Sequence, residues 1–204
     1  SINIAKKCHI GHLTTTALGH SLYRLYNFLG YKCVGINHLG DWGTQFGKLI
    51  CAYKLWGSRQ EVERAGIDEL VKLYVRFNQE ADQALEDEAR AWFKKIEDDD
   101  REAVEIFTWF KEITLRDVAR IYSLLGITFD SYAGESFYKD KWQAVVAELE
   151  QKGLLEESEG AQVVKLDDYS MPPCIIIKKD GASLYSTRDI AAAIYRKQEY
   201  DFYK

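Results

Sequence analysis

Apolar residues at helical spacing alternate with short β-branched runs along the first third of the chain. A strand-like opening at residues 1–5 gives way to a helix over 12–29, where Leu13, Leu18, Leu22, Leu25 and Leu29 recur on one side and Gly30 follows as a stop. Residues 31–36 read as a short buried strand, and a helix is predicted from about Thr44 to Leu55 after a Gly-Asp-Trp-Gly turn. Strand, helix, strand, helix is the opening of a doubly wound parallel sheet, whose ligands lie beyond the carboxyl ends of the strands.

Past Gly57 the pattern becomes helical. Leu70, Leu73, Tyr74, Phe77, Ala81, Leu85, Trp92 and Ile96 approximate one stripe, which predicts a single long amphipathic helix over 67–96. Glu97-Asp98-Asp99-Asp100 then opens another, carrying Val104, Phe107, Phe110, Ile113, Val118, Ile121 and Leu125 and closed by Gly126. An acidic run there suits a solvated helix start better than a metal site. A strand at 127–129, a helix at 139–152 stopped by Gly153, and hairpin turns at Glu159-Gly160 and Asp180-Gly181 complete the prediction. The expected class is α/β: the first half of a doubly wound sheet in residues 1–57, and a large, mostly helical insertion with short strands and a return segment in 58–204.

Composition narrows the class of protein. With 47% hydrophobic and 13% aromatic residues the 204-residue chain can bury a core, while a net charge of −5 argues against a general affinity for nucleic acid, DNA included. No apolar run is long enough to span a bilayer, and the first residues lack a signal peptide's charged start and apolar stretch, so no membrane partner and a cytoplasmic location are expected. Cys8, Cys33, Cys51 and Cys174 have no paired spacing, and no metal ligands are assigned, although Cys8-His9-x-x-His12 could be drawn as a partial set.

Two motifs carry chemistry. His9-Ile10-Gly11-His12 places two imidazoles three positions apart at a predicted helix N-terminus, where free N–H groups and the helix dipole attract anions. Gly11 would let a nucleotide approach the backbone, and imidazole N–H groups could donate to charge developing on a phosphate. Helix capping by the same histidines is the competing account. Thirty residues after His9 comes Leu39-Gly40-Asp41-Trp42-Gly43-Thr44-Gln45-Phe46-Gly47.

These two stretches, with Asn3-Ile4-Ala5-Lys6 before them and Tyr185-Ser186-Thr187-Arg188-Asp189-Ile190-Ala191 near the other end, resemble class I aminoacyl-tRNA synthetases, and within them the arginyl-tRNA synthetase family. Ile2 and Lys7 stand where the family usually has proline. The resemblance implies an enzyme of translation that joins arginine to ATP as arginyl-adenylate and passes the arginyl group to tRNA(Arg). It also implies a longer protein, so that this part alone is expected to be inactive and to expose a sheet edge through which it could self-associate. His9, Gly11 and His12 would hold ATP, accompanied by Mg2+, with Lys6, His9 and His12 acting in catalysis. Asn3 would meet the α-amino or carboxylate end of arginine, and Glu135, Tyr185 and Asp189 its guanidinium. Asp41 and Gln45 fall on the nucleotide or tRNA-end side, and Trp42 suits packing better than contact.

Residue chemistry keeps alternatives open. Lys6 could be merely solvated and Glu135 an ordinary loop carboxylate. Ser186-x-x-Asp189 also reads as a capping box opening the last helix, so Asp189 is ligand, cap or both. A small nucleotidyltransferase with a related histidine motif, or a synthetase-like arginine-binding regulator without chemistry, would share part of the pattern.

Overall fold

Helix N-caps divide the chain more finely than its apolar stripe does. In the computed structural model, which describes residues 2–179, 181 and 183–203, the stretch expected as one helix is two: α4 (Ile67–Glu80) and α5 (Gln83–Glu97). Asp82 causes the break, because its Oδ1 accepts the Leu85 N–H at 2.9 Å while Ala81 turns to an extended backbone. Asp100 opens α6 (Arg101–Leu124) in the same way, accepting from Ala103 at 3.0 Å. Before them come α1 (Ile10–Phe28), α2 (Gln45–Trp56) and α3 (Arg59–Ala65), the last capped by Ser58.

The chain forms two compact units, residues 1–134 and 135–204. Within the first, α2 packs on α4 and α5, with further contacts to α6. Phe46, Leu49, Ile50, Cys51 and Ala52 of α2 are buried with Leu70, Phe77, Ala89, Trp92, Phe107 and Phe110 in one core. Gly47 permits the close approach: a Cβ there would sit 1.9 Å from the Ala89 carbonyl oxygen. A second cluster gathers Ile2, Leu39, Val118, Tyr122 and Ile127 beneath the opening segment.

The parallel sheet expected in the first unit is reduced to two isolated parallel bridges among the described residues, Asn3 to Gly40 and Ile36 to Ser131. Residues 31–35 and 127–129 form no strand. Backbone bonds from Asp130 and Ser131 to the Gly35 carbonyl, and from Gly35 to the Asp130 carboxylate, fix these segments as facing loops instead. The α1 stripe is present, but it is not a buried one. Thr16 alone of its residues is buried, and Leu18, Leu22, Leu25 and Leu29 are exposed because nothing among the described residues packs over them.

The second unit holds α7 (Trp142–Gln151), β1 (Glu156–Ser158), β2 (Ala161–Val164), β3 (Cys174–Ile177) and α8 (Tyr185–Tyr200), with a 3-10 turn at Glu135–Tyr138. Its sheet is antiparallel in the order β1-β2-β3. The first hairpin turns at Glu159-Gly160, both with positive φ, as expected. Asp180 of the second expected turn lies outside the described residues; Gly181 has φ +81°, and Ser183 bridges Ile177 antiparallel.

Candidate active site

Residues 2–6 approach the first site along an anchored loop. Ile4 donates to the Gly40 carbonyl at 3.1 Å and Gly40 to that of Ile2 at 2.9 Å, so the opening segment and the Gly40-Asp41 turn run side by side. Ala5, held at φ +57°, donates its N–H to the buried Thr114 Oγ1 at 3.1 Å. Thr114 donates in turn to the Phe110 carbonyl within α6. Asn3 and Lys6 are exposed on this loop, and a Cβ on Gly40 would meet the Asn3 amide.

His9 is the N-cap of α1. Its Nδ1 accepts the Gly11 N–H at 3.1 Å, and its own N–H donates to His12 Nδ1 at 3.3 Å. The rings lie 3.9 Å apart, centre to centre. Both Nδ1 atoms are therefore acceptors, and a neutral imidazole that accepts at Nδ1 carries its proton on Nε2. Two outward Nε2–H donors flank the positive end of a 19-residue helix. Burial, reinforced by the unfavourable coupling of a charged His12 to the adjoining His9 ring and to Lys6, lowers the pKa of His12 and favours this neutral form. Gly11 serves His9 directly: a Cβ there would meet the His9 ring at 3.0 Å, so a close neighbour is present without any nucleotide.

Asp41 is fully buried and its Oδ2 accepts from Lys111 Nζ of α6. Its carboxylate is thus an internal anchor for the turn. Gln45 is half-buried and donates Nε2 to the Trp42 carbonyl at 3.3 Å, folding back over the same turn. Trp42 is buried against Phe93 and Phe107, as its packing reading expects.

In the second unit Glu135 begins the 3-10 turn and Arg188 Nη2 lies 3.8 Å from its Oε2. Tyr185 and Asp189 are placed on the first turns of α8, both exposed. The capping-box reading of Asp189 does not hold. Leu184 is the N-cap without a side-chain bond, and Ser186, already inside the helix, donates to the Ile175 carbonyl at 3.1 Å. Thr187 likewise donates to Ile176 at 2.6 Å, so α8 is tied to β3 rather than closed by its own cap.

Lys111, Thr114 and Arg188 escaped the sequence reading. The first two had a signal: Phe107, Lys111, Thr114 and Val118 fall on one helical stripe, and polar residues on a buried stripe need partners across the core. Arg188 lay unused inside the quoted Tyr185 motif.

Among the described residues no three His, Cys, Asp or Glu side chains group so as to hold a metal ion, and no helix is long and apolar enough to cross a membrane.

The histidine motif caps α1, and the opening segment before it runs beside the Gly-Asp-Trp-Gly turn; comparison with known proteins shows which class of protein carries them. The model of the family described as tRNA synthetases class I (R), catalytic domain, matches residues 1–204, and the chain belongs to that family. It is 59% identical to an arginine–tRNA ligase of Clostridium botulinum, aligned over 100% of this chain and 37% of the relative, and 56% identical to that of Alkaliphilus metalliredigens, over 99% and 36%. The chain therefore spans little more than a third of the length of these relatives. Its fold matches the crystal structure of an arginyl-tRNA synthetase from Plasmodium falciparum with a TM-score of 0.83 at 27% identity, covering 98% of this chain and 34% of that one. The Thermus thermophilus arginyl-tRNA synthetase shares the fold at a TM-score of 0.68 and 20% identity, with 96% and 35% covered.

Proposed function

We propose that this chain contributes the phosphate-binding histidines and the arginine-recognition carboxylates of an arginine–tRNA ligase, which makes arginyl-adenylate and esterifies tRNA(Arg) in the cytoplasm. The observation that carries the reading is the shared engagement of both Nδ1 atoms at the head of α1, which aims two Nε2–H donors outward. In the first step the arginine carboxylate oxygen attacks the α-phosphorus of ATP. A C–O–P bond forms, the Pα–O–Pβ bond breaks, and pyrophosphate leaves with its electron pair. Charge accumulates on the phosphoryl oxygens in the transition state, where fixed donors stabilise it most. His9 and His12 supply those donors, and Lys6, exposed on the preceding loop, adds a cation.

The substrate guanidinium carries five N–H donors in a planar fork, and Glu135 and Asp189 offer carboxylates with the Tyr185 phenol as a further acceptor. Asn3 meets the α-amino or carboxylate end. Asp41 and Gln45 act by shaping the turn beside Asn3. Magnesium arrives with the nucleotide, whose phosphate charge it neutralises, and an ion that keeps several waters needs no dedicated protein cage. The parallel bridges at Asn3 and Ile36 support a doubly wound parallel sheet in the complete domain.

The family match runs through the Tyr185–Asp189 segment, which a small nucleotidyltransferase would not need, and so does not favour that alternative. Arginine-dependent exchange of pyrophosphate into ATP, measured with tRNA present on the complete protein carrying this chain, tests the proposal. Exchange is expected with arginine and not with lysine. Its absence in an otherwise folded, tRNA-binding protein would overturn the reading.

A further inference from the structure

Among the described non-glycine residues with positive φ, Asp99, Glu159, Ser170 and Asp201 are exposed and Ala5 alone is buried. An alanine takes that backbone conformation at a cost, and a buried N–H out of reach of water needs an acceptor inside the protein. Thr114 of α6 supplies it at 3.1 Å. This hydroxyl is fully buried and gives its own proton to the Phe110 carbonyl at 3.0 Å, so toward Ala5 its oxygen acts only as an acceptor. The bond fixes the plane of the Ile4–Ala5 peptide and, with it, the direction in which the chain leaves Ala5. Lys6 is the next residue. Beyond it Lys7 pairs with Asp68 at 2.6 Å, but both are well exposed and solvent screens the contact, so it constrains Lys6 little. On the other side Asn3 is held separately, flanked by the two backbone bonds that join Ile2 and Ile4 to Gly40. After burial and the adjoining His9 ring, Lys6 is among the groups that lower the pKa of His12, so its charge lies within electrostatic reach of that imidazole.

We infer that Thr114 is a positioning residue for Lys6: its hydroxyl holds Ala5 in the left-handed conformation that aims the lysine at the phosphate site headed by His9 and His12. The inference rests on the reading of Lys6 given above. Removing the hydroxyl leaves the Ala5 N–H buried and unpaired. Rotation of the Ile4–Ala5 peptide then relieves both the lost bond and the backbone strain, and Lys6 is re-aimed with it. Asn3 stays, because its bonds to Gly40 are untouched. The expected signature is a loss in kcat, where a cation acts on transition-state charge, without a matching rise in KM for arginine.

The experiment is steady-state pyrophosphate exchange by the complete protein carrying this chain, well below every variant's melting temperature. The variants are Thr114→Val, Thr114→Cys, Thr114→Ser, Lys6→Gln and a double variant that combines Thr114→Val with Lys6→Gln. Valine copies the shape of threonine but cannot accept a hydrogen bond. Thr114→Val should lower kcat by about 10- to 100-fold, the scale of a misplacement of roughly 1 Å, and leave KM for arginine within about twofold. Serine restores the acceptor and should restore the rate. Cysteine is a weak acceptor that packs readily in cores; it should fall between serine and valine, and it decides the matter if the valine variant does not fold. The double variant should be no slower than Lys6→Gln alone, because Thr114 acts through Lys6. A role confined to core stability would lower the melting temperature and leave kcat in place, which overturns the inference. If Lys6→Gln lowers kcat while the valine and cysteine variants stay within about twofold of the parent, or if the double variant loses rate additively, the inference fails and the Lys6 reading stands. If Lys6→Gln leaves kcat unmoved, the Lys6 reading fails and takes the inference with it.

Discussion

Replacing Lys111 by Met tests how firmly the Gly40-Asp41 turn is fastened to α6. Met fills nearly the same volume as the lysine stem, so the substitution removes a charge and little packing. The fully buried Asp41 carboxylate then loses its Lys111 contact, and breaking such a pair from one side costs about 3 to 5 kcal/mol. Lys111 is a quarter exposed, so solvent already weakens the pair, and the low end, about 3 kcal/mol, is expected. Four of the five tryptophans, Trp42, Trp56, Trp92 and Trp109, belong to the first unit, so intrinsic fluorescence in urea reports that unit's unfolding. The midpoint should fall with an unchanged slope, equivalent to roughly 10 °C in Tm for a unit of this size. The sign in the double variant is the sharper part. Adding Asp41→Asn to Lys111→Met removes the buried charge and should recover about 1 kcal/mol or more, although Asp41→Asn in the parent does not stabilise. A Lys111→Met variant within about 0.5 kcal/mol of the parent, or additive losses in the double variant, would refute the anchor.

Two further outcomes follow from the site. Arginine should be preferred over its neutral isostere citrulline by about 10⁴ in pyrophosphate exchange, because a carbonyl in place of a donor leaves a carboxylate unpaired. Glu135→Gln combined with Asp189→Asn should abolish most of that preference, and an unchanged ratio would remove both carboxylates from the pocket. The second outcome concerns pH. His12 has a folded-state pKa lowered, chiefly by burial, below its ordinary 6.5, so the folded chain binds fewer protons than the unfolded one around and below that value. The stability this contributes is present above pH 6.5 and is lost as pH falls through 6.5 toward the folded value. Denaturation midpoints between about pH 7.5 and 5 should drop more for the parent than for His12→Gln, and parallel curves would contradict the shift.

The readable parts of the fold are those fixed by local chemistry. Gly30, Gly126 and the Glu159-Gly160 pair have positive φ, which punctuates the chain where the sequence pattern says it should. Asp82 was equally local but was hidden by an apolar stripe that continues in register across it, from Phe77 to Leu85 and Trp92. The strands expected at 31–36 and 127–129 need hydrogen-bonding neighbours that no local pattern can supply, and among the described residues the ladder is limited to the Ile36–Ser131 bridge, while Tyr31 and Ile127 donate back to the helices they leave. The same divide runs through the site. His9 and His12 stand out by spacing, whereas the partners of Asp41, Ala5 and Glu135 lie 70, 109 and 53 positions away in the chain and become neighbours only through packing.

Capping and phosphate binding look like rival accounts of His9, yet the bonds join them. By accepting the Gly11 N–H at Nδ1, the ring satisfies one free donor of α1 and is forced to carry its own proton at Nε2, the atom that the phosphate reading requires. The two roles therefore use different atoms and can be separated by substitution. Asparagine is among the best N-caps, and its Oδ1 can take the place of Nδ1, but it has nothing at the position of Nε2. His9→Asn should melt with the parent, and His9→Ala should lose about 1 kcal/mol through the missing cap. In pyrophosphate exchange by the complete protein both should fall by about 10²- to 10³-fold, the loss typical of one transition-state donor. A His9→Asn variant that kept the parent rate would leave His9 as a helix cap and nothing more, and would move the phosphate chemistry to His12 and Lys6.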